Sequence, residues 1–216
     1  MIFTKAPVPG RVKTRLRLAP DVAARMHTAF IRDVVHRHRA PQRQTTLWVT
    51  GETSHSLWTS LDVPVHAQIG EDLGARLRHA FEQTLRAGRP VVVLGTDSPT
   101  LPPAYIHDAF ARLNTVDAVV GPAFDGGYYC LGMTKMVPEL LPADMPWGTE
   151  QVLERTLNAA RDAGCSISLL PFWYDVDRPA DLDMMKGHLA TLAAAGITLP
   201  DATIACLREL ADDDNI

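Results

Sequence analysis

A chain of 216 residues with 46% apolar and 21% charged side chains can bury one sizeable core and has the make-up of an ordinary soluble domain. Its formal net charge of −4 argues against a general nucleic-acid binder. No apolar run approaches bilayer-spanning length and no signal-peptide pattern opens the chain, so the expectation is a cytoplasmic protein without integral membrane association.

Ile2-Phe3 starts a short first strand, and the prolines and glycine of Thr4 to Gly10 favour an extended loop. Pro20-Asp21 opens a helix in which Val22, Met26, Ala29, Phe30 and Val34 recur at helical spacing. Its basic end, His36 to Arg39, suits the negative end of a helix dipole and reads as a solvated face. Thr45 to Thr50 and Val63 to Ile69 read as strands with only a short segment between them. A helix follows from Asp72 to Gly88, with Leu73, Leu77, Ala80, Phe81 and Leu85 on one face.

Val91 to Leu94, four aliphatic residues in succession, reads as a central strand buried on both faces and ends in the acidic turn Gly95-Thr96-Asp97-Ser98-Pro99. Beyond it the pattern predicts a helix at Pro103 to Leu113, strands at Val116 to Val120 and Tyr128 to Met133, and a helix at Thr149 to Ala163 closed by Gly164. A strand at Ser166 to Leu170 then runs into Trp173-Tyr174-Asp175-Val176-Asp177. Two outer helices are predicted, one from Pro179 and one from Asp201 to Leu210, before a fraying Asp212-Asp213-Asp214 tail. Alternating strands and helices argue for a single α/β domain with a mostly parallel sheet, helices on both faces and right-handed crossovers. Cys130, Cys165 and Cys206 are odd in number and far apart, and read as reduced thiols rather than zinc ligands.

Charge is unevenly placed. Met1 to Pro20 contains no acid but holds Lys5, Arg11, Lys13, Arg15 and Arg17, so this region attracts anions. Gly10-Arg11-Val12-Lys13-Thr14-Arg15-Leu16 combines a glycine, cations and a hydroxyl just before a helix, which suits a diphosphate or triphosphate; the alternative is a solvated cationic turn. Asp97, Asp175 and Asp177 follow predicted strands, and a parallel sheet would collect them at one edge, near that loop. In a strand-like Asp-x-Asp both side chains point the same way, and oxygen ligands of this kind select Mg²⁺ or Mn²⁺. The competing structural roles are a turn cap for Asp97 and a helix cap for Asp177.

Four ordered segments resemble a bacterial family of GT-A-fold proteins classed as glycosyltransferases, of the nucleotide-diphospho-sugar transferase type. They are Lys5-Ala6-Pro7-x-Pro9-Gly10-x-Val12-Lys13-Thr14-Arg15-Leu16, Gly95-Thr96-Asp97-Ser98-Pro99, Gly121-Pro122-Ala123-x-Asp125-Gly126-Gly127-Tyr128-Tyr129 and Trp173-Tyr174-Asp175-Val176-Asp177-x-Pro179. The last segment is also similar to small nucleotidylyltransferases, such as those that guanylylate phospholactate. The resemblance implies a three-layer sandwich, nucleotide recognition by Gly10, Lys13 and Arg15, metal binding by Asp97 and Asp177, and a substrate-side role for Asp125-Gly126-Gly127. Gly70-Glu71-Asp72-Leu73-Gly74-x-Arg76 matches a further family segment near the nucleotide, although Asp72 also fits a helix N-cap. Tyr128, Tyr129, Trp147 and Trp173 fit either a stacking surface or the core. Arg178 and Gly148 depart from the family pattern, which has a small hydroxyl residue at the first position and often serine at the second.

The expectation is therefore a metal-dependent glycosyltransferase-like enzyme using a nucleotide-sugar donor and a small-molecule acceptor. Residues 1–100 form the nucleotide half, 101–200 the acceptor and metal half, and 201–216 a terminal helix and tail. Lys5, Gly10, Arg11, Lys13, Thr14, Arg15, Asp72 and Arg76 would hold the nucleotide, and Asp97, Asp175 and Asp177 would hold Mg²⁺ or Mn²⁺. Lys13 would offset leaving-group charge, Asp125 would act as base or sugar-hydroxyl ligand, and Gly126, Gly127, Tyr128 and Trp147 would line the acceptor site. Two alternatives are a nucleotidylyltransferase that takes a nucleoside triphosphate and releases pyrophosphate, and a nucleotide-binding protein on the same scaffold without turnover.

Overall fold

Strand β1 (Ile2–Lys5) pairs in parallel with β2 (Leu47–Thr50), which pairs in parallel with β3 (Val65–Ala67). These pairings belong to a computed structural model that describes residues 1–85 and 89–213. On the other side of β1 lies β4 (Val91–Leu94), buried throughout as four aliphatic residues without polar alternation require. Strands β5 (Ala118–Pro122), β6 (Tyr128–Met133) and β7 (Ile167–Leu169) complete a seven-stranded sheet of order β3-β2-β1-β4-β6-β5-β7.

The sheet is mostly parallel, but β6 runs antiparallel to both β4 and β5. The mostly parallel sheet is as expected, and alternation and crossovers give way at the β5-to-β6 connection. Only residues 123–127 separate β5 from β6, too few for a crossover, so the chain reverses and β6 starts at the edge where its neighbours end. Between β2 and β3 the expected short segment contains a helix, α2 (Ser56–Ser60), whose Leu57 and Trp58 are buried. Thr4 and Lys5 belong to β1 rather than to the loop after it, and β3 is shorter than the predicted Val63 to Ile69.

Period-two alternation divides the strands between two cores. Ile2, Leu47, Val49, Val92, Leu94 and Val119 face α1 (Pro20–His38), α2 and α4 (Pro103–Arg112). Phe3, Trp48, Val91, Val93, Val120 and Leu131 face α3 (Leu73–Leu85) and α5 (Val152–Asp162). The result is a three-layer α/β sandwich in one domain. Helix α5 starts later than the predicted Thr149, after a turn in which Thr149 Oγ1 donates to the Pro146 carbonyl. The predicted end of α3 at Gly88 and the tail residue Asp214 lie outside the described residues.

Helix α1 is covered twice. Ile31, Val34 and Val35 meet the sheet, whereas Met26, Ala29 and Phe30 meet Val176, α6 (Pro179–Ala194) and α7 (Asp201–Asp213). The apolar spacing read as one stripe thus serves two interfaces. The basic end of α1 is solvated as expected at His36 and Arg39, but not at His38. His38 is buried, neither ring nitrogen has a partner among the described residues, and burial pushes its pKa down to about 3, with Arg37, Arg43 and His107 adding to the effect. Cys130, Cys165 and Cys206 are free thiols, as expected. No described helix is long and apolar enough to cross a membrane.

Candidate functional site

Every parallel strand delivers its carboxyl end to the same sheet edge, and the antiparallel β6 begins there. The segments after β1, β4, β5 and β7 therefore converge, and they carry the charged residues nominated above.

The loop after β1 folds back through an Arg11 N–H to Val8 carbonyl bond of 3.0 Å, with Gly10 at φ +74°. Val12 and Leu16 are buried and anchor it, leaving Arg11, Thr14 and Arg15 exposed. Lys13 adopts the left-handed conformation at φ 49°, uncommon for a residue with a side chain, and this turns its ammonium inward. Its side chain is only 3% exposed. Nζ lies 2.5 Å from Asp97 Oδ1 and 2.9 Å from Asp177 Oδ1, and donates to the Val176 carbonyl at 2.7 Å. Three oxygens thus match three ammonium protons. Burial alone would lower the Lys13 pKa, but the two carboxylates outweigh it and the group stays protonated above its ordinary range. The helix start expected directly after this loop is a single 3-10 turn, Thr14–Leu16, and α1 begins only at Pro20.

Asp97 sits at the end of β4, tied down by the Val176 N–H donating to its carbonyl at 2.9 Å. Its carboxylate takes no backbone N–H among the described residues and pairs with Lys13, so the turn-cap role is not the one it plays. Burial opposes its charge, yet Lys13, His27 and Lys5 outweigh burial and hold its pKa below the carboxylate range. Behind it, the Thr4 and Thr96 hydroxyls lie 3.0 Å apart, and His27 Nε2 lies 3.2 Å from the Lys5 carbonyl. Thr96 and Ser98 stand in the Gly95-to-Pro99 segment without an assigned role, and His27 outside every motif; as common residue types they announce a role only when the fold sets Thr96 against Thr4, Ser98 against Asp175 and His27 near Asp97.

Asp175 and Asp177 part company. Asp177 meets Lys13, whereas Asp175 Oδ1 accepts from Ser98 Oγ at 2.5 Å. Among the described residues the only bridge beyond β7 is that between Trp173 and Ala123, and Asp175 to Asp177 lie in no assigned strand, so the strand geometry that would aim both carboxylates alike is not maintained. Burial pushes the Asp175 pKa up to about 7; the Ser98 bond and Lys13 oppose this, and Asp97 and Asp125 add to it. The helix-cap role of Asp177 falls to Asp181, whose Oδ2 accepts the N–H groups of Asp177 and Arg178 at 3.1 and 2.7 Å. Arg178 itself is exposed.

Asp125 is exposed in the turn between β5 and β6, and its Oδ1 accepts the Gly127 N–H at 2.9 Å. Gly126, at φ +86°, packs so closely that a Cβ would lie 2.4 Å from Glu150 Cα. Tyr128 and Trp147 meet edge to face at 6.3 Å, and Trp147 lies against Gly74 of α3. Tyr128 OH and Trp147 Nε1 are both buried without a partner among the described residues, so these aromatics form a wall with two unused donors. Asp72 is the N-cap its position allowed, Oδ1 accepting the Ala75 N–H at 2.7 Å. Arg76 Nε donates to the Gly70 carbonyl at 2.9 Å, bracing its own loop. Neither contacts the Lys13 cluster. Among the described residues no three His, Cys, Asp or Glu side chains gather as a metal cage.

Residues 30–149, more than half of the chain, match the family described as uncharacterized protein conserved in bacteria, DUF2064. A solved structure from Desulfovibrio desulfuricans G20, described as a candidate nucleotide-diphospho-sugar transferase, is 30% identical with a TM-score of 0.85; the match covers 96% of this chain and 92% of that one. A CMP:2-keto-3-deoxy-manno-octonic acid synthetase complexed with CTP aligns at 12% identity and TM-score 0.55, covering 88% and 97%. The Rv0371c protein of Mycobacterium tuberculosis H37Rv, solved with manganese, aligns at 20% and 0.53, covering 85% and 95%. Both show a shared fold. No curated protein matches in sequence. With the family match spanning β4, the Asp97 turn and the Asp125 turn, this chain belongs to the bacterial DUF2064 family, on a nucleotide-diphospho-sugar transferase fold.

Proposed function

We propose that this protein is a transferase that takes a nucleotide-diphospho-sugar donor with the help of Mg²⁺ or Mn²⁺. The observation that carries the reading is the cation seat at the carboxyl edge of the sheet. Asp97, Asp177 and the Val176 carbonyl already surround one positive charge, the Lys13 ammonium, with three oxygens. A hard divalent cation prefers this donor chemistry, so Asp97 and Asp177 would hold the metal, and Lys13 would be freed to meet phosphate oxygens. When bound, the metal offsets negative charge on the departing nucleoside diphosphate.

The chain's own groups have separable tasks. Arg11, Thr14 and Arg15 stand exposed on the loop that Val12 and Leu16 anchor, and they would grip the diphosphate. Asp125, held by the Gly127 N–H, would orient an acceptor hydroxyl. Asp175, with a pKa pushed up to about 7, has the proton affinity of a general base near neutral pH. The density of cations on the Gly10 loop favours a second reading, nucleotidyl transfer from a triphosphate, and the CTP-bound relative on this fold keeps that reading in contention.

Thermal unfolding with nucleotide-sugars and nucleoside triphosphates, each with Mn²⁺, Mg²⁺ or chelator, separates the two. A ligand at a hundred times its dissociation constant adds about 2.7 kcal/mol, several degrees for a domain of this size. Metal-dependent stabilisation by a nucleotide-sugar supports glycosyl transfer and names the donor. A response confined to one triphosphate transfers the assignment to nucleotidyl transfer, and a flat panel refutes both. Asp97→Asn should abolish the metal-dependent part while the protein stays folded.

A further inference from the structure

Phe124 and Phe172 are large apolar side chains left 73% and 48% exposed, and their rings stack on each other with centroids 5.5 Å apart at 27°. Strand-like pairing carries them there. The Phe124 N–H donates to the Trp173 carbonyl and the Trp173 N–H to the Pro122 carbonyl, both at 3.1 Å, so the segments after β5 and β7 emerge side by side. Those two segments also deliver Asp125, the next residue after Phe124, and Asp175, three residues after Phe172. The rings thus stand on the two segments that also carry acids of the candidate site. The area they offer is on the order of 250 Å², well below the roughly 800 Å² that each partner of a stable protein complex contributes. Asp125 stands exposed beside Phe124 with its carboxylate fixed by the Gly127 N–H, which suits a hydroxyl donor better than an anion.

We propose that Phe124 and Phe172 form the stacking platform of an acceptor subsite, and that the acceptor is a neutral, hydroxyl-bearing molecule with a planar or apolar ring face. This rests on the transferase reading for its meaning, but not for its test. A ring laid on the pair presents its hydroxyl toward Asp125, which the Gly127 N–H holds in place. A neutral acceptor also separates this site from transfer onto a phosphate monoester, whose charge the exposed Asp125 carboxylate disfavours.

The probes are phenyl and methyl glycosides of glucose, galactose and mannose, titrated by NMR into the full chain. At least one phenyl glycoside should bind about tenfold more tightly than its methyl counterpart, with saturation transfer to the phenyl ring. The Phe124→Ala/Phe172→Ala variant, expected to fold because both rings are exposed, should lose that preference, and Phe124→Tyr should keep it. Equal binding of phenyl and methyl glycosides overturns the proposal, as does a preference that survives the double substitution. So does sedimentation showing a dimer that the double substitution makes monomeric, since the rings would then serve self-association. A phenyl preference alongside a flat nucleotide panel would retain the subsite and refute the transferase reading; a nucleotide response without phenyl preference would do the reverse.

Discussion

At the scale of single residues, the Lys13 ammonium decides how this site behaves without ligand. It neutralises two carboxylates that would otherwise repel each other across the seat they share. Lys13→Met should therefore cost on the order of 1–3 kcal/mol, read as a lowered melting temperature. Millimolar Mn²⁺ should restore more of this loss than it adds to the wild type, and chelator should reverse the rescue; absence of rescue would count against a divalent cation at Asp97 and Asp177. Asp175 supplies a test in pH. Its folded pKa of about 7 lies above the carboxylate's ordinary 3.8, so the native state holds a proton that the unfolded chain releases. The stability tied to this group is fully present below about pH 4 and is lost as pH rises through 7. In chelator, Asp175→Asn should melt several degrees above wild type at pH 8, and the gap should close toward pH 4. The type and position of Lys13, Asp97 and Asp177 were legible from spacing. Their mutual pairing was not, because it depends on a left-handed backbone at Lys13 that no sequence pattern announces.

At the scale of elements, the N-terminus of α7 is held by one buried acid. Asp33 of α1 accepts the Ala202 and Thr203 N–H groups at 3.0 and 2.7 Å and the Thr203 hydroxyl at 2.6 Å, which makes it the N-terminal cap of α7 supplied from another helix. Asp33→Ala strands those donors and should cost about 2–3 kcal/mol. Hydrogen exchange should then show α7 opening before the sheet, whereas uniform loss of protection would contradict a local cap. Helix periodicity could place α7 but not Asp33, since a cap reached across 168 residues of chain leaves no local signal. Elements bounded by strong punctuation read well: Pro179 starts α6, Pro103 starts α4, and β4 and β6 occupy the residues predicted. The short α2 was missed because five residues hold too little of a helical period to register.

At the scale of the whole molecule, two titrating groups, buried His38 and half-buried Asp175, act in opposite directions. His38 has a folded pKa of about 3, below the ordinary 6.5, so its contribution is fully present above pH 6.5 and is lost as pH falls toward 3. The Asp175 contribution falls as pH rises over much of the same interval. His38→Leu should therefore gain on wild type as pH falls from 6.5 to 4, while Asp175→Asn gains as pH rises. Parallel curves for the two variants would show that these groups do not set the profile. By itself the sequence determined the α/β class, the identity and order of most elements, and the set of charged residues that would share one sheet edge. It could do so because buried strands, helix periods and turn residues are local signals, and because a parallel sheet gathers strand ends wherever they lie in the chain. Only the tertiary structure decided that β6 runs antiparallel, that α1 is buried on two sides and that Asp175 and Asp177 take different partners. It alone left Phe124 and Phe172 exposed as a pair. Each of these depends on which distant segment arrives alongside, and that is settled by long-range packing rather than by neighbours in sequence.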